Sequence, residues 1–265
     1  MAKSTYIFTD TQFESELTRL LLLEQVFDAA SRRQILATGL TEGWYCLEVG
    51  AGAGSIMNWM SQIVGTSGKV TAVDLDTRFI KDTSLSNVEV IEADINQVTL
   101  TNSFDLIHAR HILIHLENYR DTLAKMLDLL KPNGWLILEE PNFSATRFIS
   151  GTEAERQAVN KVHQAICQMF TNQGKDYALG INLPPLLQQL GLQRIQVTND
   201  APISTGGSDI ATLMKLSAFQ LAEKYTATGI ATLEDIKTYC QFAEKSTSWG
   251  IYLANVAIMA RKVTA

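Results

Sequence analysis

A 265-residue chain with 46% hydrophobic and 19% charged residues has material for one large globular domain or two small ones. Its net charge of −6, with no cluster of Lys and Arg, argues against a surface built to hold nucleic-acid phosphates. The start, MAKSTYIFTDTQFESEL, has no apolar signal core, and no stretch reaches the ~18 apolar residues of a membrane span. Cys46, Cys167 and Cys240 are odd in number and far apart, which suits reduced thiols in a cytoplasmic protein rather than disulfides or a zinc site.

Residues 1–40 stand apart from the strand pattern that follows. Tyr6-Ile7-Phe8 is a short apolar clasp. Leu17, Leu20, Leu21, Leu22, Leu23, Val26 and Phe27 predict a helix from Glu14 to Phe27 with a broad buried side. A second helix is expected over Ala29 to Ala37, stopping at Gly39. Trp44 to Val49 then reads as a buried strand, followed by Gly50, Gly52 and Gly54 at alternate positions. After Ser55, residues Ile56, Trp59, Met60, Ile63 and Val64 take helical spacing. Strand, glycine turn and amphipathic helix make a cofactor-binding βα unit, although the glycines alone fit an ordinary tight turn equally well.

Lys69 to Asp74 is the second strand, and its closing acid stands 24 positions after Gly50, near the ~20 expected of a ribose-binding acid. Asp76 is suited to cap a helix starting at Thr77. Val88 to Glu92 is the third strand and runs into Ala93-Asp94-Ile95. Phe104 to Ala109 is the fourth, with Asp105 a structural residue at its opening, and Arg110-His111-Ile112-Leu113-Ile114-His115-Leu116 follows. An amphipathic helix over Tyr119 to Leu130 ends at Lys131-Pro132-Asn133-Gly134, before a fifth strand, Trp135 to Glu140. Beyond Pro141 the spacing predicts a helix over Glu153 to Phe170 and a turn at Asn172 to Lys175. A helix with Leu183-Pro184-Pro185 in its first turn ends at Gly191. A sixth strand, Leu192 to Thr198, a loop at Gly206-Gly207, helices near Asp209–Tyr225 and Leu233–Lys245, and a last strand, Ile251 to Ala260, complete the chain. Strands alternating with helices predict an α/β, Rossmann-like, mostly parallel seven-stranded sheet with helices on both faces, and ligands bound at the strands' carboxyl ends.

The cofactor is the first chemical decision. A dinucleotide fingerprint wants glycines at its first, third and sixth positions, and the sixth position from Gly50 is Ser55. The pattern Glu48-x-Gly50-x-Gly52-x-Gly54 instead resembles motif I of the class I S-adenosylmethionine (SAM)-dependent methyltransferases. The run FDLIHARHILIHL resembles the motif IV region of the small-molecule members, and LKPNGWLILEEP resembles the turn that leads into their fifth strand. The resemblance covers Trp44 to Pro141 well and the rest in outline. It implies that Gly50, Ala51, Gly52 and Gly54 lie under the methionine part of SAM, with Glu48 helping to order that loop and the ligand's ammonium, often through water. It also implies that Asp74 accepts from the ribose hydroxyls, Leu75 lies on the adenine, and Asp94 with Ile95 meets the adenine amino group. Ala109 and Arg110, at the end of strand four, would border the sulfonium. Tyr6 of the clasp and Arg19 of the first helix are candidate lid-side contacts, the N-terminal helices either forming a lid on the pocket or merely packing on the sheet's flank.

His111 and His115 are spaced i, i+4, so a helix would place both on one face. No HExxH pattern or cysteine partner accompanies them, and no metal is expected. Imidazole titrates near working pH, so either serves as a candidate general base or shapes the pocket, while His108 reads as a core residue within its strand. His115, Glu140 and Asn142 are candidate acceptor contacts. The expected activity is methyl transfer from SAM, leaving S-adenosylhomocysteine (SAH), to a small organic acceptor, natural-product or quinone-like, with O-, N- and C-methylation all open. The chain is expected to be one domain. Its SAM-binding core would span about 40–141 with 183–202 and 247–263, and cap or lid elements 1–39, 142–182 and 203–246 would enclose the acceptor. No Asn-Pro-Pro-Tyr or Pro-Cys pair points to DNA-base methylation. An NAD(P)-dependent oxidoreductase and a non-catalytic SAM-fold interaction protein are the rival classes, and a homodimer is left open.

Overall fold

In the computed structural model, which describes residues 13–101 and 103–263, one long helix, α1 (Phe13–Ala37), replaces the two expected. Asp28 does not break it, because its carboxylate has partners at Arg32, Ser55 and Arg110. The alternation that follows matches the sequence closely. It comprises β1 (Tyr45–Val49), α2 (Ser55–Val64), β2 (Lys69–Asp74), β3 (Val88–Glu92), β4 (Phe104–Arg110), α3 (Tyr119–Leu129) and β5 (Leu130–Asn142). The helix expected at Thr77 is a single turn in which Ile80 and Lys81 donate to the Thr77 carbonyl. The polar stretch Asp82 to Asn87 has no apolar face to extend it. The turn at Lys131–Gly134 is a bulge inside β5. Leu130 pairs with Phe104, Asn133 takes φ +64°, and pairing resumes at Trp135 opposite Leu106.

The second half comprises β6 (Arg147–Ser150), α4 (Glu153–Asn172), α5 (Leu179–Gln189), β7 (Gln193–Asp200), β8 (Ser204–Thr205), α6 (Asp209–Gln220), α7 (Ala222–Thr226), α8 (Leu233–Glu244), β9 (Trp249–Ile251) and β10 (Ala254–Arg261). Thr152 and Thr232 start α4 and α8 with reciprocal capping boxes. Helix α5 begins before the proline pair, so Pro184 and Pro185 stand in its interior rather than in its first turn. No helix among the described residues is long and apolar enough to cross a membrane.

Seven strands form one sheet in the order β3-β2-β1-β4-β5-β10-β7. Only β10 runs antiparallel to its neighbours β5 and β7. Alternation along the strands feeds a separate core on each face. One face carries Leu47, Val49, Ile107, Leu136, Leu138, Val256 and Ile258 against Leu123 and Met126 of α3 and Leu183 and Leu187 of α5. The other carries Cys46, Val70, Ala72, Leu106, Ile137 and Met259 with Met57 and Met60 of α2 and Ile35 of α1. Over the strands' carboxyl ends the chain builds a second, three-stranded sheet, β6-β9-β8. Its strands continue from the upper ends of β5, β10 and β7. Helices α4, α6, α7 and α8 pack together beside it, and α6 also meets α1.

Candidate functional site

The βα loop is held by its own backbone. Gly50 N–H donates to the Val73 carbonyl at 2.8 Å, and Gly52 N–H donates to Asp74 Oδ2 at 3.0 Å, tying β1 to the end of β2. Gly50 has φ +75°, and a Cβ there would collide with the side chain of Ile112, which comes from the segment after β4. Glycine is thus required at this position by its left-handed backbone and by the packing of Ile112. Gly54, at φ +95°, starts α2 from a left-handed conformation.

Helix α1 is fastened onto this loop. Leu20 lies over Gly52, Glu24 Oε1 accepts from Ser55 N–H at 3.0 Å, and Asp28 Oδ1 accepts from Ser55 Oγ at 2.9 Å. Arg110, at the end of β4, donates to Asp28 at 3.1 Å and to Ser31 Oγ at 2.8 Å. The acids Glu24 and Asp28 therefore serve the first turn of α2, where negative charge is favoured. The sequence did not single them out, although Leu20, Glu24, Phe27 and Ser31 recur at helical spacing on one side of α1. Arg19 is buried and paired with Glu16 at 2.7 Å. Its charge reaches His111, His115 and Tyr225, which places it toward the cap. Tyr6 lies outside the described residues.

The nucleoside-side candidates gather at the ends of β2 and β3. Asp74 accepts from Gly52 and Asp76 amides, and burial raises its carboxyl pKa against the pull of those N–H groups. Leu75 beside it is 51% exposed, an apolar side chain with one side open. Asp94 is half-buried and caps the turn after β3 through Asn96 N–H at 2.9 Å. The side chains of Ile95 and Ala109 are buried in the core, so these two can offer a ligand only their backbone.

After β4 the chain turns sharply. His111 takes φ +56°, and a 3-10 turn over Leu113–His115 follows. His111 and His115 therefore do not share a helix face, as their spacing alone had suggested. Glu140 is fully buried and accepts from the amides of Ile112 at 3.1 Å, Leu113 at 2.7 Å and Ile114 at 3.2 Å. All three partners are donors, the arrangement of a carboxylate, while burial works against the charge and pushes its pKa up to about 8. Glu140 thus anchors the turn rather than facing an acceptor. Asn142 is also buried and caps the turn at Phe143–Ala145 through Ser144. Burial and the charges of Lys175 and Arg19 hold His115 well below the ordinary imidazole pKa.

A line of polar side chains crosses the α1 face of the sheet. Glu48 of β1 pairs with His108 Nδ1 at 2.8 Å, and His108 Nε2 faces Glu139 of β5 at 3.1 Å. Asn255 Nδ2 of β10 donates to Glu139 Oε2 at 3.0 Å, and Asn255 Oδ1 lies 3.0 Å from His111 Nε2. Burial opposes the imidazolium of His108, but the Glu48 charge and the hydrogen bonds to both carboxylates outweigh it and lift the pKa to about 9. Burial likewise opposes the Glu139 charge, yet His108 and then Arg110 hold it at about 2. His108 is thus a satisfied core residue, as expected. Glu48 turns inward to His108 instead of toward the glycine loop. Glu139 and Asn255 were missed, and the available signal was a polar residue recurring inside otherwise apolar strands. A cavity of about 370 Å³ opens between α1, Ile210 of α6 and the ends of β7 and β10; Phe27 and Asn255, the side chains that touch His111, lie in its wall. Among the described residues no group of three or more His, Cys, Asp or Glu side chains is placed to hold a metal ion.

Residues 47–138 match the methyltransferase domain family. The chain is 27% identical over 147 residues to a ubiquinone/menaquinone biosynthesis C-methyltransferase of Pseudomonas fluorescens, covering 52% of this chain and 57% of that protein. It is 25% identical over 145 residues to (S)-coclaurine N-methyltransferase of Papaver somniferum, covering 52% and 39% respectively. The matched region thus spans about half the length, or less, of these two relatives. Among solved structures it resembles a phosphoethanolamine N-methyltransferase of Haemonchus contortus in complex with SAM, at a TM-score of 0.61 and 14% identity. That likeness covers 100% of this chain and 61% of the other, and shows a shared fold.

Proposed function

We propose that this chain, a member of the class I SAM-dependent methyltransferase superfamily, transfers the methyl group of SAM to a small organic acceptor. The observation that carries the proposal is the convergence of the glycine loop, Asp74, Leu75, Asp94 and the His111 turn at the carboxyl ends of adjacent parallel strands. The residues fit the cofactor chemically. Asp74 keeps lone pairs for a ribose diol, Leu75 has an apolar surface left open for a flat ring, and the Asp94 carboxylate can receive an amino group. SAM supplies a methyl group on a good leaving group, so the protein has chiefly to bind, align and exclude water. Leu20 and Glu24 of α1 hold the loop, Arg110 tethers α1 to β4, and Ile112 wedges the post-β4 turn against Gly50. His111 is half-buried, and burial pushes its pKa down to about 4, which keeps its imidazole neutral near pH 7. The cavity walled by Val26, Phe27, Ile210 and Leu253 offers mainly apolar surface for the acceptor's body.

The relatives named for C-methylation in ubiquinone/menaquinone biosynthesis and for N-methylation of (S)-coclaurine guide the acceptor screen. Tritiated-methyl SAM incubated with demethylquinols, phenols and secondary amines tests the proposal. Label in an organic product above the no-enzyme control supports it, and no transfer to any class despite SAM binding contradicts it.

A further inference from the structure

The order of partners along Glu48, His108, Glu139, Asn255 and His111 fixes where the hydrogens must be. Both ring nitrogens of His108 face carboxylates, so both carry a proton. Glu139 is then an ionised group that only accepts, which obliges Asn255 to present its NH2 to Glu139 and its carbonyl oxygen to His111. His111 Nε2 must therefore donate. Its remaining nitrogen, Nδ1, carries the lone pair while the ring is neutral.

We infer that Asn255 is a positioning residue, which holds His111 in the Nε2–H tautomer and so makes Nδ1 the ring atom that receives the acceptor's proton. The inference rests on the methyl-transfer reading above. The acceptor's lone pair forms the new bond to the methyl carbon, and the methyl–sulfur bond breaks with its electron pair left on sulfur. The proton lost by the acceptor's O–H passes to Nδ1. One positive charge thus leaves sulfur as one appears on His111, and the site's charge is conserved. Before the step, burial is the main cause that holds His111 in the neutral form. The groups that face it are Phe27 and Arg19 of α1, Arg110 at the end of β4, Glu139 of β5 and Asn255 of β10, with His115 on the following turn. The two arginines disfavour a second cation, and Glu139 and Asn255 limit that effect.

The test is long-range proton–nitrogen NMR on protein labelled at its four histidines, assigned by single substitutions, with SAH titrated calorimetrically into the same samples. At pH 7 the wild type should show His111 with a pyrrole-like Nε2 and a pyridine-like Nδ1, and acid should move the Nδ1 signal while Nε2 stays protonated. N255L should give a mixture of tautomers with SAH affinity within about twofold of wild type. N255D, which keeps an acceptor opposite Nε2, should restore the single tautomer. A wild-type Nδ1–H tautomer, or an unchanged tautomer in N255L, overturns the inference. If the tautomer is as stated but the protein binds no SAH, the use of Nδ1 in methyl transfer falls together with the parent reading, while the role of Asn255 in setting the tautomer stands.

Discussion

Replacing Glu140 with alanine would remove the one acceptor that satisfies three consecutive amides, the part-buried one of Ile112 and the buried ones of Leu113 and Ile114. A buried donor left unpaired costs about 1–3 kcal/mol. The turn can partly relax and admit water, so a loss of about 4 kcal/mol is expected, a large part of the 5–15 kcal/mol that typically holds a domain together. Gln retains a carbonyl oxygen that can serve two of the three amides, so E140Q should lose only about 1–2 kcal/mol. Urea unfolding followed by the fluorescence of the four tryptophans measures this directly. A loss of that size in E140A should lower the midpoint by roughly 1 M or more. SAH affinity should fall as well, because the loosened turn carries Ile112, which packs against Gly50. If E140A unfolds within about 1 kcal/mol of wild type, then Glu140 does not hold the turn and the assignment of His111 to a fixed position fails with it.

Three further outcomes follow from the same structure. The gap between the ordinary His pKa of 6.5 and the value of about 9 for buried His108 contributes about 3 kcal/mol of stability. Because the folded pKa is the higher one, this contribution is complete below pH 6.5 and is lost as the pH rises through 9; H108Q should flatten that alkaline decline in a series of urea melts. G50A should destabilise by about 2–5 kcal/mol, from the left-handed backbone and the collision with Ile112 together, and G50A/I112A should recover the collision but not the backbone part. D74N should weaken SAH binding by at least tenfold while leaving the thermal midpoint within a few degrees, because the amide keeps one acceptor for Gly52 or Asp76.

How far the sequence spoke depended on whether a feature was local. Strands β2 and β3 match their expected bounds because apolar runs flanked by loop residues specify them without help from elsewhere. Helix α1 was divided at Asp28, a residue whose place in a helix is secured by Ser55 and Arg110, distant in sequence. The proline pair was put in the first turn of α5 because proline is tolerated there, whereas the chain makes another turn before reaching it. Strands β6, β8 and β9 have only four, two and three residues, too few for any period to register. The places of Asp74, Leu75 and Asp94 at the ends of β2 and β3 were legible because the strand bounds themselves fix them. The partners of Glu48, Glu140 and Asn142 were not, since each is chosen by the register between strands or by the fold of the next turn. The line from Glu48 to Asn255 joins residues 207 positions apart and exists only once β1, β4, β5 and β10 lie side by side.

The central claim, that the glycine loop and Asp74 form a SAM site, is tested most directly by calorimetric titration of the protein with SAH, with NADH as the comparison. Micromolar SAH binding, its loss in D74A, and no heat from NADH are expected. Heat from NADH with none from SAH would contradict it.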